Sequence, residues 1–298
     1  MRTYIKIDDV VNGRCRSSKK SSQDYQLPID DKTLIGTKDE VEDIKVLLNL
    51  PGIVRVGTKS CRGTNKENII KQGLNPHIPT FTNYDATSAS TQKLEGKRIR
   101  DDFSPMLIGP IEGALIFENF WQYLKVYKEL GHIDTKGNIT KDFLNFKKKG
   151  FGLTKGKRHP PEIKTGEFLK DPKGNYIRDA QRKRRSKYLI PAFSYYKGNT
   201  YNYIDARKYI YAPGYASIVK NSKSFKELKK RVEKGENVQI MDFDGPPDGD
   251  IEVDNVEMKS HVVTKELLKN KINDPKSPFG HGYVLAGLLA GIEPKDYI

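Results

Sequence analysis

Apolar positions recur along the chain with two periods, and each period predicts its own kind of element. Over residues 116–130 (IFENFWQYLKVYKEL), Phe117, Phe120, Trp121, Leu124, Val126 and Tyr127 form a broad apolar stripe. That spacing predicts one helix, ended by Gly131. Residues 38–48 predict a second helix, stopped by Pro51 and Gly52. Residues 53–57 (IVRVG) alternate apolar and polar as a short strand does, and 237–244 read as a strand running into a turn at Gly245-Pro246-Pro247. Residues 222–234 (SKSFKELKKRVEK) form an amphipathic helix with Ser222 or Ser224 as cap and Gly235 as stop. Thr264 caps a short helix, and 278–282 lead into a final apolar one. Residues 16–24 and 73–90 read as loops, 150–178 as a Gly/Pro/Lys-rich insertion, and no internal repeat is present.

Composition narrows the class. Of 298 residues, 36% are apolar, enough for a core in one large domain or two small ones, which excludes disorder along the whole chain. The longest apolar run, 283–292, is half of the roughly 20 residues that a membrane-spanning helix needs. Acids interrupt the first residues where a signal peptide needs an apolar stretch. Two cysteines, Cys15 and Cys61, supply neither a disulfide framework nor a Cys-based zinc site. The expectation is a soluble, cytoplasmic protein with no membrane partner.

Charge is concentrated. Residues 136–188 carry 17 Lys/Arg against 5 Asp/Glu, which is +12 of the chain's +15. The densest run, 178–187, includes Arg182, Lys183, Arg184 and Arg185. Clustered cations displace counterions from nucleic acid or dock a polyphosphate; the plainer alternative is a solvated face. An aromatic cluster follows, including Tyr188, Phe193, Tyr195, Tyr196, Tyr201, Tyr203, Tyr209, Tyr211 and Tyr215. Aromatics beside cations stack bases, although tyrosines are equally ordinary core and rim residues.

Three places offer chemistry. Glu118, Trp121, Gln122 and Lys125 stand at i, i+3, i+4 and i+7, so a continuous helix would align them on one face. The plain alternative is a surface Glu and Lys flanking a buried Trp. Residues 242–254 hold Asp242, Asp244, Asp248, Asp250, Glu252 and Asp254 with no cation among them. Asp242, Asp244 and Asp248 are hard oxygen donors, but the spacing is not that of a calcium loop and no metal is assigned. Gly280-His281-Gly282 opens the last helix, where backbone N–H groups and the helix dipole favour an anion. Close helix packing accounts for such glycines equally well.

The stretch Glu118-Asn119-Phe120-Trp121-Gln122-Tyr123-Leu124-Lys125 resembles the E-x-x-[YW]-Q-x-x-K helix of the NADAR domain, a family of N-glycosidases acting on riboflavin-pathway intermediates and ADP-ribosylated guanine. Upstream, Phe103-Ser104-Pro105-Met106 is similar to the family's opening Phe-Ser-Asn-Phe segment. Asn237 to Asp244 stands where the family has a strand ending in an acidic turn, and Gly280 to Leu289 resembles its closing helix. The resemblance covers roughly 103–292 outside the basic insertion at about 136–200. It implies an α+β fold: a mainly helical NADAR-like catalytic domain over 101–298 with a small β-sheet, after an irregular N-terminal extension over 1–100. It implies hydrolysis of the C–N bond between a base and ribose or ADP-ribose, with no cofactor. Glu118 would stabilise the oxocarbenium ion, Asp242 or Asp244 would be the second carboxylate, and Lys125 a phosphate ligand or Schiff-base amine. Trp121 would stack on the base and Gln122 read its edge, while Gly280, His281, Gly282, Arg182, Arg184 and Arg185 would take phosphates. The expected partner is a nucleotide or ADP-ribosylated base, with DNA or RNA along the basic 136–188 segment. The other readings are a non-catalytic nucleic-acid-binding protein on the same scaffold and a structural or virion protein.

Overall fold

The computed structural model describes residues 3–6, 33–36, 51–58, 77–79, 93–94, 97–177, 186–249, 251–253 and 256–298. In chain order the strands are β1 (Thr3–Lys6), β2 (Thr33–Gly36), β3 (Val54–Thr58), β4 (His77–Pro79), β5 (Lys93–Leu94), β6 (Lys97–Arg98), β7 (Lys125–Val126), β8 (Phe193–Tyr196), β9 (Asn199–Tyr201), β10 (Val238–Asp242), β11 (Ile251–Val253), β12 (Val256–Met258) and β13 (Ser260–Val262). The helices are α1 (Ile99–Phe103), α2 (Phe117–Tyr123), α3 (Lys141–Phe151), α4 (Tyr203–Ala206), α5 (Ala212–Val219), α6 (Lys223–Glu233), α7 (Lys265–Asn273) and α8 (His281–Leu289), with a π-turn, Arg207–Tyr211, joining α4 to α5. The protein is α+β.

The central sheet has the order β13-β3-β10-β4. β10 runs parallel to both β3 and β4, while β13 is antiparallel to β3. All five residues of β10 are buried, as befits a parallel strand covered on both faces. Arg55 on β3 is 2% exposed, and its guanidinium donates to Ser260 Oγ and to Ser260 O on β13. Ser260 Oγ donates in turn to Gln239 Oε1 on β10, so a buried polar seam fixes the register of three strands. α8 is buried along its whole length and packs on β10 and β3, as a helix apolar all round must.

Side-chain caps set several helix starts. Ser222 accepts from Phe225 N, and Thr264 from Leu267 N, both as the sequence predicts. Thr140 caps α3 in the same way, inside the segment read as an insertion. α3 buries Phe143, Phe146 and Phe151, so this part of the basic stretch contributes to the core.

Three sequence expectations change. The helix expected over 116–130 ends at Tyr123, because Lys125–Val126 pairs with β8 and Lys128–Leu130 forms a 3₁₀ turn capped by Gly131. Residues 77–79, read as loop, form β4 against β10. The boundary expected near residue 100 does not separate an extension from the sheet, since β3 and β4 are two of its four strands. Val54 and Val56 belong to the same hydrophobic core as Phe117, Tyr215 and Val284. The helix expected over 38–48 and the loop at 16–24 lie outside the described residues. No helix among the described residues is long and apolar enough to cross a membrane.

Candidate active site

α2 carries the first half of the site. All seven of its residues are buried, so it has no wet face and its polar side chains must find partners inside. The Glu118 N–H donates to Pro105 O at 2.9 Å, which ties the helix start to the 103–106 segment. Asn119, fully buried, donates to Leu153 O and Lys155 O and accepts from Lys157 N. It thereby fastens the beginning of the basic stretch to α2.

The remaining polar residues form a chain. Gln122 Nε2 donates to Glu118 Oε1 at 2.8 Å, and Lys125 Nζ donates to Gln122 Oε1 at 2.8 Å. The Lys125 ammonium stands 4.9 Å from the centroid of the Trp121 ring. The four residues therefore meet as the sequence predicts, but by another route: Lys125 leaves the helix and reaches back from β7. Burial pushes its amine down to about 8, and the Glu118 carboxylate opposes that shift. Lys125 thus covers one face of the ring on which a base was expected to stack. Glu118 is 7% exposed, and its Oε2 makes no hydrogen bond among the described residues.

The second half lies at the carboxyl end of β10. Asp242 is 1% exposed and saturated with donors. Its Oδ2 accepts from Gly282 N at 2.9 Å and lies 3.2 Å from His281 Nδ1, while Oδ1 accepts from Asp244 N at 3.4 Å. The His281 ring thus turns its Nδ1 edge toward Asp242. The anion expected at the start of α8 is thus the chain's own Asp242. The glycines there follow from that approach: a Cβ on Gly282 would sit 2.6 Å from Asp242 Cβ, and one on Gly280 2.8 Å from Asp242 Oδ2. Asp244 lies in the turn after the strand and is half-buried.

Aromatic rings join the two halves. The Tyr211 ring packs edge-on against Trp121 at 5.0 Å and against Phe117 at 5.3 Å. One turn later Tyr215 packs against Phe117 at 5.7 Å and against His281 at 5.7 Å, and its hydroxyl donates to Phe103 O. Sequence reading placed both tyrosines in the aromatic cluster without this role. Burial drives the Tyr211 phenol well above its ordinary range, and Glu118, Asp242, Tyr215 and Asp244 push it further.

Asp248 lies apart from this group: it accepts from His261 Nε2 at 3.0 Å, and Lys271 is 3.6 Å away. Burial raises its pKa, but the His261 hydrogen bond and the Lys271 charge outweigh that and hold the carboxyl low. Among the described residues no group of three or more His, Cys, Asp or Glu is arranged to hold a metal ion. Arg182, Arg184 and Arg185 lie outside the described residues. Two clefts, of about 400 and 360 Å³, lie elsewhere. The larger, lined by Pro51, Ile53, Lys229 and Thr264, is at the end of the parallel strands opposite Asp242. The smaller is lined by Leu130, His132, Phe146 and Glu162. No family model, curated protein or solved structure matches the chain.

Proposed function

We propose that the protein is an N-glycosidase hydrolysing the C–N bond between a base and ribose or ADP-ribose, in a nucleotide or a modified nucleic acid. The observation that carries this reading is Glu118: a buried carboxylate, one oxygen held by Gln122 and the other unpartnered, beside Trp121. Breaking a C–N glycosidic bond builds positive charge on the anomeric carbon and ring oxygen. A fixed carboxylate in a poorly solvated site stabilises that charge more than water does. Water then adds its oxygen to the anomeric carbon, and its proton balances the departing base. Lys125, with an amine near pH 8, is a phosphate ligand in its charged form and a nucleophile toward an opened sugar in its neutral form. The position of Asp242 also agrees with the tendency of ligands to bind outside the carboxyl ends of parallel strands.

The basic stretch supports a polyanionic partner, DNA or RNA among them. Lys148, Lys155, Lys157, Arg158 and Lys164 are exposed, and Lys149 is paired with Glu162. The experiment is base release from nucleotides and from DNA bearing ADP-ribosylated guanine, followed by mass spectrometry. Release by the wild type and none by Glu118→Gln supports the enzyme. Tight DNA binding without release by the wild type favours the non-catalytic alternative.

A further inference from the structure

We infer that Tyr211 is a ligand-facing hydroxyl of this site, donating a hydrogen bond to an acceptor on the bound base between Glu118 and the Asp242–Asp244 turn. This rests on the nucleotide-site reading above and adds to it a residue that contacts the base.

The backbone places Tyr211 there by a local irregularity. The Ala212 N–H donates to Arg207 O, five residues back, which is the π-type bond of the Arg207–Tyr211 turn. Pro213 lies just beyond and has no N–H for the Tyr209 carbonyl, so the regular ladder cannot continue through it. Such single π-turns widen a helix and re-aim a side chain, and they are frequent at functional sites. Here the turn ends at Tyr211 and sets its ring against Trp121.

The hydroxyl is the unusual part. Tyr211 is 7% exposed, yet its oxygen makes no hydrogen bond among the described residues. The neighbouring Tyr215 hydroxyl is committed to Phe103 O at 2.8 Å. The hydroxyls of Tyr123 and Tyr297 are also unpartnered but sealed from solvent, and those of Tyr127 and Tyr283 likewise make no hydrogen bond among the described residues; of these phenols, Tyr211 is the one that packs against Trp121. A mostly buried phenol with an accessible, unused O–H is a donor awaiting an acceptor. Burial, and after it the Glu118, Asp242 and Asp244 carboxylates, disfavour its ionisation, so the proton stays on the phenol and the group remains a donor. Carboxylates on either side accept only. Tyr211, packed on Trp121, can therefore offer an uncommitted neutral O–H to a base nitrogen or carbonyl.

Trp121 is the chain's single tryptophan, so its emission reports ligand arrival at this place. The experiment titrates wild type and Tyr211→Phe with GMP, AMP and ribose 5-phosphate, reading Trp121 fluorescence, with base release followed separately. Loss of one neutral hydrogen bond should weaken the better-binding nucleotide by roughly 3- to 10-fold. Affinity for ribose 5-phosphate should not change, and the urea midpoint should stay, because the ring is kept. Equal nucleotide affinity in the two proteins overturns the inference, as does binding of neither nucleotide. A large loss of stability in Tyr211→Phe also overturns it, since the hydroxyl would then be structural. Tyr211-dependent binding without base release removes the hydrolase reading and leaves the inference standing. Base release with Tyr211-independent affinity and turnover removes the inference alone.

Discussion

Glu118 and Asp242 are both carboxylates buried to more than nine-tenths, yet their surroundings differ in kind. Asp242 receives two backbone N–H groups and an imidazole, so its charge is spent on holding the start of α8 against the end of β10. Glu118 receives one amide and keeps an oxygen uncommitted. Burial alone therefore does not identify a reacting group; unspent hydrogen-bonding capacity does. On that criterion the proposed chemistry centres on Glu118, and Asp242 belongs to the frame that positions His281 and Asp244.

The contrast can be broken by substitution. Glu118→Gln keeps shape and hydrogen bonding, and single-turnover base release should fall about 10²- to 10³-fold, with ligand affinity and melting temperature little changed. Wild-type turnover in that variant would remove Glu118 from the reaction. Asp242→Ala should act on stability instead: it strands the Gly282 N–H and His281, for a loss of about 3 kcal/mol in urea unfolding. Gly282→Ala tests the same contact from the other side and should cost about 1–3 kcal/mol by overpacking against Asp242.

Lys125 sharpens the comparison through pH. Its amine should be half neutral near pH 8, so reductive methylation at this position should rise with a midpoint there, well below that of exposed lysines. The unfolded chain, with its lysine near 10.5, binds more protons than the folded one between about pH 8 and 10.5. Wild-type stability relative to Lys125→Met should therefore increase with pH across that window and be lowest below it. The smallest effect belongs to the basic run. Replacing Arg182, Lys183, Arg184 and Arg185 by Ala should flatten the salt dependence of DNA binding by about 0.9 per lost phosphate contact. An unchanged slope would make the run a solvated one.

Local chemistry was legible in the sequence where a few neighbouring residues decide it. Ser222 and Thr264 announce their helices because a cap needs only a hydroxyl and an N–H three residues on. Glu118, Trp121 and Gln122 were grouped correctly, while Lys125 was grouped for the wrong reason: an uninterrupted stripe concealed the switch from α2 to β7. That switch depends on β8, some seventy residues later, and leaves no local sign. β3 was recognised as a strand, but its place at the centre of the sheet depends on partners near residues 238 and 260. Tyr211 did leave a clue. A proline inside the helical run ARKYIYAPGYA marks a broken ladder, and the tyrosine two positions before it is the one turned toward Trp121.

The pairing of β3 with β10 also bears on the order of events during synthesis. Ile53 N donates to the Asn237 side chain across 184 positions of sequence, immediately before the two strands align. A ribosome must therefore emit most of the polypeptide before the sheet can close. Until then the Val54–Thr58 edge waits without its parallel neighbour, exposing unpaired backbone N–H and C=O groups and the Val54 and Val56 side chains to wrong partners. Chaperone demand should accordingly peak late in translation, and release of chains stalled before residue 238 should yield aggregates rather than a smaller folded product.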